Sequence, residues 1–365
     1  MEKISKHQLF CLVMMGQIGS TNLWSLGIGA KQDAWLVIII SMLGGLGLIW
    51  IFTELSSKYP DDHIAGITIK LLGPILGWPL AFMYLLMFVF NTTRNVSEFG
   101  DLINITFLQD TPRSAIIILF IFTIIYILFL GVETLARITE IILPITIFLI
   151  FSIYILAVIS GPFNIKSLTP VLGNGLKPIL KSSFPVGINF PFGTGFFLLQ
   201  FWKYADSREY IRKTTFAAVI SSGIILTFTL IITITTIGPT LAANFTIPFL
   251  EIIKLINIGD IITNLDAIGV ILIFIGGFYL TALKFYSSAL VISYLFKIKN
   301  IRWVLIPLGI FVLWYSKVYE PNYPFHVRYL IPQFWQQHVP FFDIIPILLL
   351  LIYVLKSRCL QLKIK

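Results

Sequence analysis

Ten runs of mostly apolar residues, each near the length of about 20 that spans a bilayer as a helix, restrict this chain to one class of fold. Lipid offers no partner to a bare amide or carbonyl, so such runs cross it as helices. They fall near 8–29, 34–55, 79–104, 113–131, 138–160, 184–203, 214–237, 266–295, 301–319 and 342–356. The expectation is an all-α polytopic membrane protein with a single membrane domain. Charged residues make up 12% of the 365 residues, about half the share in soluble domains.

A formal net charge of +9 would suit a nucleic-acid partner, but the basic residues sit in short loops between spans rather than on one soluble face. They report orientation instead. Segments on the N-terminal side carry 16 Lys and Arg, and those on the other side carry 8. Cytoplasmic loops hold the excess, so both termini are expected in the cytoplasm. Cys11 and Cys359 lie in opposite terminal segments and imply no disulfide framework. Lys3 and Lys6 precede an apolar run too long for a signal core, and further spans follow.

The first span is the unusual one. Its centre reads Gly16-Gln17-Ile18-Gly19-Ser20-Thr21, small and hydrogen-bonding residues where lipid would favour leucine. Two readings stand side by side. Small residues let helices approach closely; alternatively the helix breaks here and presents backbone groups to a ligand at the midplane. The second reading gains from a matching interruption. Gly161 to Ser183 is rich in Pro, Gly, Asn and Lys and divides the chain into halves, 1–160 and 184–365. The first span of the second half contains Asn189-Phe190-Pro191-Phe192-Gly193-Thr194-Gly195, where proline removes a donor and glycine loosens the helix. Interruptions at corresponding places in two halves point to a midplane site, and amides at a half-helix N-terminus would attract a carboxylate.

Three further features bear on function. In the third span Asn91, Arg94, Glu98 and Asp101 share one helical face, marking either a functional cavity or an Arg94–Glu98 pair near the outer boundary. The eighth span contains Tyr279, Thr281 and Lys284; an intramembrane lysine fills a cation position, bonds free carbonyls, or snorkels to the boundary. Glu133, Arg137 and Glu140 are spaced so that both acids reach one arginine. Gly44, Gly45 and Gly47 in the second span suggest close helix contact. The run Ile247 to Ile256 reads as a surface-lying helix, and the segment up to Trp78 as lying partly along the inner surface. The histidines (His7, His63, His326, His338) are scattered and no metal spacing or nucleophile elbow appears, so no enzyme, metal or cofactor is expected.

Several stretches together resemble the B-subunit permeases of nutrient germinant receptors in endospore-forming bacteria, within the amino acid–polyamine–cation transporter superfamily. They are Ile4-Ser5-x-x-Gln8-Leu9, Asp33-Ala34-Trp35, Tyr59-Pro60, Leu108-x-x-Thr111-Pro112, Gly131-Val132-Glu133 with Arg137 and Glu140, Thr169-Pro170-Val171-Leu172, Phe190-Pro191-Phe192-Gly193 and Leu265-Asp266. Their order and spacing cover nearly the whole chain. The resemblance implies a LeuT-like fold of two inverted five-helix repeats, with helices 1 and 6 broken around a ligand. It implies a spore inner-membrane location beside a larger membrane A-subunit and a lipoprotein C-subunit, and a sensor of amino acids, sugars or nucleosides. Family members often carry an acid after the Phe-Gly of helix 6, where this chain has Thr194.

The reading is therefore a nutrient-sensing membrane subunit. Its ligand site would draw on Gly16, Gln17, Gly19, Ser20 and Thr21, on Asn189, Phe190, Phe192, Gly193 and Thr194, and on Thr92, Tyr279 and Thr281. Lys284, Arg94 and Glu98 are the expected cation-site or coupling residues. A proton- or ion-coupled amino acid permease and a non-binding scaffold or channel component are the alternatives.

Overall fold

The computed structural model describes residues 2–160, 163–256, 265–319 and 338–363. His326, the start of the linker at 161–162 and residues 257–264 lie outside the described residues, as does the Cys359 side chain. Every extended regular element among the described residues is a helix. Five make the first half: α1 Lys6–Thr21, α2 Ala34–Lys58, α3 Ile64–Thr106, α4 Arg113–Leu130 and α5 Val132–Ser160. Then come α6 Leu176–Ser182, α7 Gly195–Leu198, α8 Ile211–Asn244, the short α9 Pro248–Lys254, α10 Asp266–Leu295, α11 Arg302–Tyr319 and α12 Ile345–Lys363. Seven helical segments among the described residues are long and apolar enough to cross a membrane. Three of the ten expected spans are not among them: α1, which has 16 residues, the interrupted α6–α7 segment, and α11.

Local chemistry sets the boundaries. Ser5 and Gln8 form a reciprocal capping box that starts α1. Gly73 (φ 78°) and Pro74 bend α3, which sets residues 64–72 off from the span that follows. Gly238 (φ 79°) and Pro239 bend α8 in the same way. Helix α5 already begins at Val132, inside the stretch read as a loop. There Arg137 bonds Glu133 at 2.7 Å, but Glu140 accepts from the Gln8 amide of α1 at 3.2 Å instead of from Arg137. The expected three-residue clasp is thus a two-residue pair plus a tie to the first helix.

The sixth span also differs from expectation. It begins at Leu176, within the stretch taken as linker, and passes through a π-turn at Ser183–Gly187 before breaking. Helix α2 supports it: Gly187 meets Ser41, Gly44 faces Ile188, Gly45 lies under Phe192, and Gly195 under Ile49. Gly47 has nothing within 4 Å and makes no such contact.

Helices α1, α3 and α10 form the centre. From Cys11 to Thr21 every residue of α1 is buried, and 72% of the most apolar window of α10 is buried against 22% in the last span. Helix α9 lays Phe249, Leu250, Ile252 and Ile253 onto the bundle and leaves a Glu251–Lys254 pair outside. Tyr353 of α12 packs on Tyr59, and Lys356 donates to the Leu71 carbonyl at 2.6 Å.

Candidate functional site

Helix α1 stays helical through Gly16–Thr21 and ends at Asn22, one residue beyond the stretch where the break was expected. The glycines serve packing. A Cβ on Gly19 would lie 2.9 Å from the Gly276 Cα, and one on Gly276 would overlap the Gly19 carbonyl. A Cβ on Gly16 would lie 2.9 Å from Leu283 Cδ1. Two backbones thus cross with no side chain between them, the close-approach reading of small residues.

The last carbonyls of α1 are covered locally, the Leu23 amide donating to Ser20 at 3.3 Å and the Trp24 amide to Thr21 at 3.2 Å, and side chains reinforce the turn before them. The Thr21 hydroxyl donates to the Gln17 carbonyl at 2.5 Å, and the Asn22 amide to Ile18 at 2.7 Å. Thr229 of α8 fixes Asn22 by donating to its side-chain oxygen at 3.0 Å. This is a carboxyl end, where the helix dipole favours cations; the expected amide donors for a carboxylate do not lie here. After Asn22 the chain turns through Gly27 (φ 78°), where a residue with a Cβ would be strained and would overlap Val37.

At the sixth span the break falls where the prolines and glycines put it. The Phe190 amide still reaches Val186 at 2.8 Å, while Pro191 has no amide to give. Thr194 closes the turn with its hydroxyl on the Pro191 carbonyl. Thr194, where the resemblance implied an acid, therefore serves as a backbone cap.

Between these two interruptions lies a cavity of about 920 Å³. Its wall comes from the turn after α1 (Ser20 and Trp24 to Gly29), from α3, from Lys177 to Phe190, and from Leu280 of α10. Three cations (Arg94, Lys177 and Lys181) and one carboxylate (Glu98) line it. Arg94 and Glu98 approach to 3.6 Å, and both line the cavity. Trp24, Phe99 and Phe190 supply aromatic wall. An excess of two positive charges, partly shielded from water beside aromatic rings, suits a solute with an anionic group and an apolar part.

Of the residues expected at the site, Ser20, Phe190, Arg94 and Glu98 line this cavity. Beneath it is a buried polar chain. Lys284 donates to the Asn95 oxygen at 2.8 Å, Asn95 donates to the Thr281 hydroxyl at 2.9 Å, and Thr281 donates to the Gly277 carbonyl at 2.6 Å. Lys284 is 4% exposed, an inward lysine rather than a snorkelling one. Its ammonium also lies 5.7 Å from the Phe197 ring centroid. Thr92 is a neighbour of this layer, 3.3 Å from the Ser288 hydroxyl.

The remaining expected residues hold structure. Phe192 fills the space over Gly45, Gly193 leaves room for Asn189, and Tyr279 is buried. Asn189 donates to Asp343, at the start of the last span, at 2.9 Å. Gln17 is wholly buried with neither amide atom partnered, which leaves it poised beside the centre rather than in the cavity wall. Asp101 belongs to a different group from Arg94, since it pairs with Arg113 of α4.

Four contributors escaped the sequence reading. Lys177 and Lys181, four apart on α6, were assigned to a linker. Asn95 lies one residue off the face that was counted. Asp343 opens a span whose start was unclear.

Comparison with known proteins decides the family. A family profile described as "Spore germination protein", of the spore permease type, matches residues 3–324. The chain belongs to the spore germination permease family. Spore germination protein KB of Bacillus subtilis (strain 168) is 28% identical over 360 residues, covering 98% of this chain and 96% of that one. Among solved structures, MhsT in complex with L-phenylalanine superposes with a TM-score of 0.64 at 16% identity, over 87% of this chain and 80% of that one. Mhp1, a nucleobase-cation-symport-1 family transporter in a closed conformation with bromovinylhydantoin bound, gives 0.57 at 12% identity, over 86% and 71%. At these identities the two structures speak for the fold alone. This is an integral membrane protein with the LeuT-like fold that the resemblance implied, and its family and fold point to a membrane permease or receptor rather than an enzyme.

Proposed function

We propose that this chain is the membrane B-subunit of a nutrient germinant receptor, and that it binds a small anionic or zwitterionic nutrient in the cavity between the two interrupted helices. The observation that carries the reading is a cavity with three cations and one carboxylate at the junction of α1, α3 and α6. A carboxylate would meet Arg94, Lys177 or Lys181, and the apolar part would lie against Trp24, Phe99 and Phe190. An amino acid fits this chemistry better than a neutral sugar or nucleoside. The complex of MhsT with L-phenylalanine supports a fold able to enclose such a solute.

The same proposal places both termini in the cytoplasm, the chain in the spore inner membrane, and an A-subunit and a C-subunit lipoprotein as its partners. The two halves, the second beginning with the sixth span at Leu176, act as inverted repeats around the site. Ligand shifts the bundle only by binding one arrangement better than another.

The buried Lys284 favours a second reading within the same site. Bonded to Asn95 beneath the cavity, its ammonium holds a position a coupling cation would otherwise take, which allows a response without sodium and leaves proton-coupled transport open. The test is thermal unfolding of the purified protein with amino acids, sugars and nucleosides. A ligand of the folded state raises stability with its concentration. Stabilisation by an amino acid that is lost in Phe190→Ala and Lys181→Gln supports the site. Absence of any stabilisation, from well-folded protein with its partners present, favours a scaffold. Accumulation of ligand in vesicles under a pH gradient would identify a permease.

A further inference from the structure

A second cavity, of about 740 Å³, opens on the opposite face of the molecule, where α10 ends and α3 begins. Its polar wall is His63, Lys203, Ser293, Tyr294 and Lys297; its apolar wall includes Ile69, Pro74 and Trp78. No carboxylate lines it among the described residues. The nearest acid in sequence to His63, Asp62, already accepts from Lys70 at 2.5 Å. Neither Lys203 nor Lys297 makes a salt bridge among the described residues. Lys203 rests instead on the Tyr204 ring, 4.9 Å from its centroid.

His63 is 5% exposed, packed edge-on against Tyr294 at 4.6 Å, and its Nδ1 has no partner. A buried imidazole nitrogen without a hydrogen bond is uncommon and calls for an occupant. Burial pushes the Lys203 ammonium, in the loop beyond α7, down to about 8, with the Asp62 carboxylate opposing it less strongly. On the other side the cavity joins lipid-facing surface. Trp78, half exposed and stacked on Phe82, adjoins the strongly exposed Ile75 and Leu76. A tryptophan so placed marks the bilayer interface.

We propose that this cavity binds the phosphate headgroup of an anionic phospholipid from the leaflet on the side of the N-terminus. Lys203 and Lys297 hold the phosphate, His63 offers a hydrogen bond, and the acyl chains run along Trp78 and the exposed face of α3. Lipid is favoured over a soluble anion because the wall is cationic at one end and continuous with membrane-facing residues at the other. The inference stands whether or not the outer cavity binds a nutrient.

Native mass spectrometry of the detergent-purified full chain, titrated with phosphatidylglycerol and with phosphatidylcholine, tests it. Each lysine near a membrane surface contributes about fivefold in affinity for anionic lipid. Phosphatidylglycerol should therefore bind more tightly than phosphatidylcholine, about fivefold more weakly to Lys297→Gln, and roughly 25-fold more weakly to the Lys203→Gln/Lys297→Gln variant. Lys213→Gln, from the separate basic group beside Glu54, should bind like the unmodified protein. Lys297 is exposed, so its single variant tests the site even where the double variant misfolds. Equal binding of the two lipids, or folded variants that keep full affinity, would overturn the proposal. So would displacement of the lipid by millimolar inorganic phosphate, which would make this a soluble-anion site.

Discussion

Helix α1 and the sixth span both stop short of a full crossing, but they handle the exposed backbone differently. At the end of α1, Thr21 and Asn22 turn back onto the Gln17 and Ile18 carbonyls. At the sixth span Thr194 caps a single carbonyl, while Phe190 faces the cavity and Asn189 reaches across to Asp343. The first interruption thus covers its own last carbonyls and buries its glycines in a helix crossing, while the turn beyond it, from Trp24 to Gly29, lines the cavity, with the Ser20 and Ser25 hydroxyls unpartnered. The second carries side chains outward to the solute space and to another helix. An interruption in a membrane helix is therefore not by itself a binding site; what matters is whether its polar groups are already satisfied.

The largest expected effect attacks the closed side. Gly276→Leu drives a side chain into the Gly19 backbone, where nothing flexible can yield. Overpacking of side chains alone costs about 1–3 kcal/mol, and a backbone obstacle should exceed that range. The expected outcome is loss of folded protein, read as a collapsed monodisperse yield. Gly19→Leu should do the same, so its loss of nutrient response would not identify a ligand contact. Gly47→Ala, in open space on α2, should leave stability unchanged or raise it by up to about 1 kcal/mol. Equal behaviour of Gly276→Leu and Gly47→Ala would break the packing account.

Next comes the tie from the second break to the last span. Asn189→Leu strands the buried Asp343 carboxylate, whose other oxygen is already unpartnered. Orphaning a buried charged acceptor costs about 1–3 kcal/mol or more, measurable as a lowered midpoint of thermal unfolding. Asp343→Asn in the Asn189→Leu background removes the orphaned charge and should recover part of the loss. No recovery would mean that the two residues are not coupled.

A smaller change in stability, but a selective one, belongs to Phe190. Phe190→Ala removes cavity wall without touching the α1–α10 crossing, so the melting midpoint without ligand should move little. The concentration of nutrient needed for stabilisation should rise about tenfold, the worth of roughly half a buried aromatic ring. An unchanged ligand response would remove this break from the site.

The all-helical membrane fold is legible in the sequence because lipid imposes length and composition on every span at once, though seven of the ten apolar runs meet that length and composition as helices among the described residues. The Pro191–Gly195 break is legible for a related reason: proline and glycine act locally, through a missing donor and a missing Cβ. The α1 stretch is harder. Gly16-Gln17-Ile18-Gly19 has the same composition whether it meets a ligand or another helix, and the deciding partner, Gly276, lies far away in the chain. Lys177 and Lys181 are hidden for a different reason, because a Pro- and Gly-rich stretch with lysines reads as linker until its helix packs over a cavity. Lys284 is plain as an anomaly, but only the fold supplies Asn95 as its partner.

The smallest expected effect tests the claim that the first break is sealed. Asn22 uses both ends of its amide, giving a hydrogen bond to Ile18 and accepting one from Thr229. Asn22→Ala leaves the Ile18 carbonyl with only the backbone amide of residue 22, at 3.4 Å, and the Thr229 hydroxyl without its acceptor, close to the cavity-lining turn. Hydrogen bonds of this kind contribute about 1 kcal/mol each, and water from the cavity can replace part of the loss, so the net destabilisation should be about 1 kcal/mol. If the α1 end is purely structural, the variant melts slightly earlier yet responds to nutrient at the same concentration as the unmodified protein. If the same substitution weakens the response tenfold while the midpoint barely moves, the end of α1 takes part in binding after all, and the two breaks act as one site.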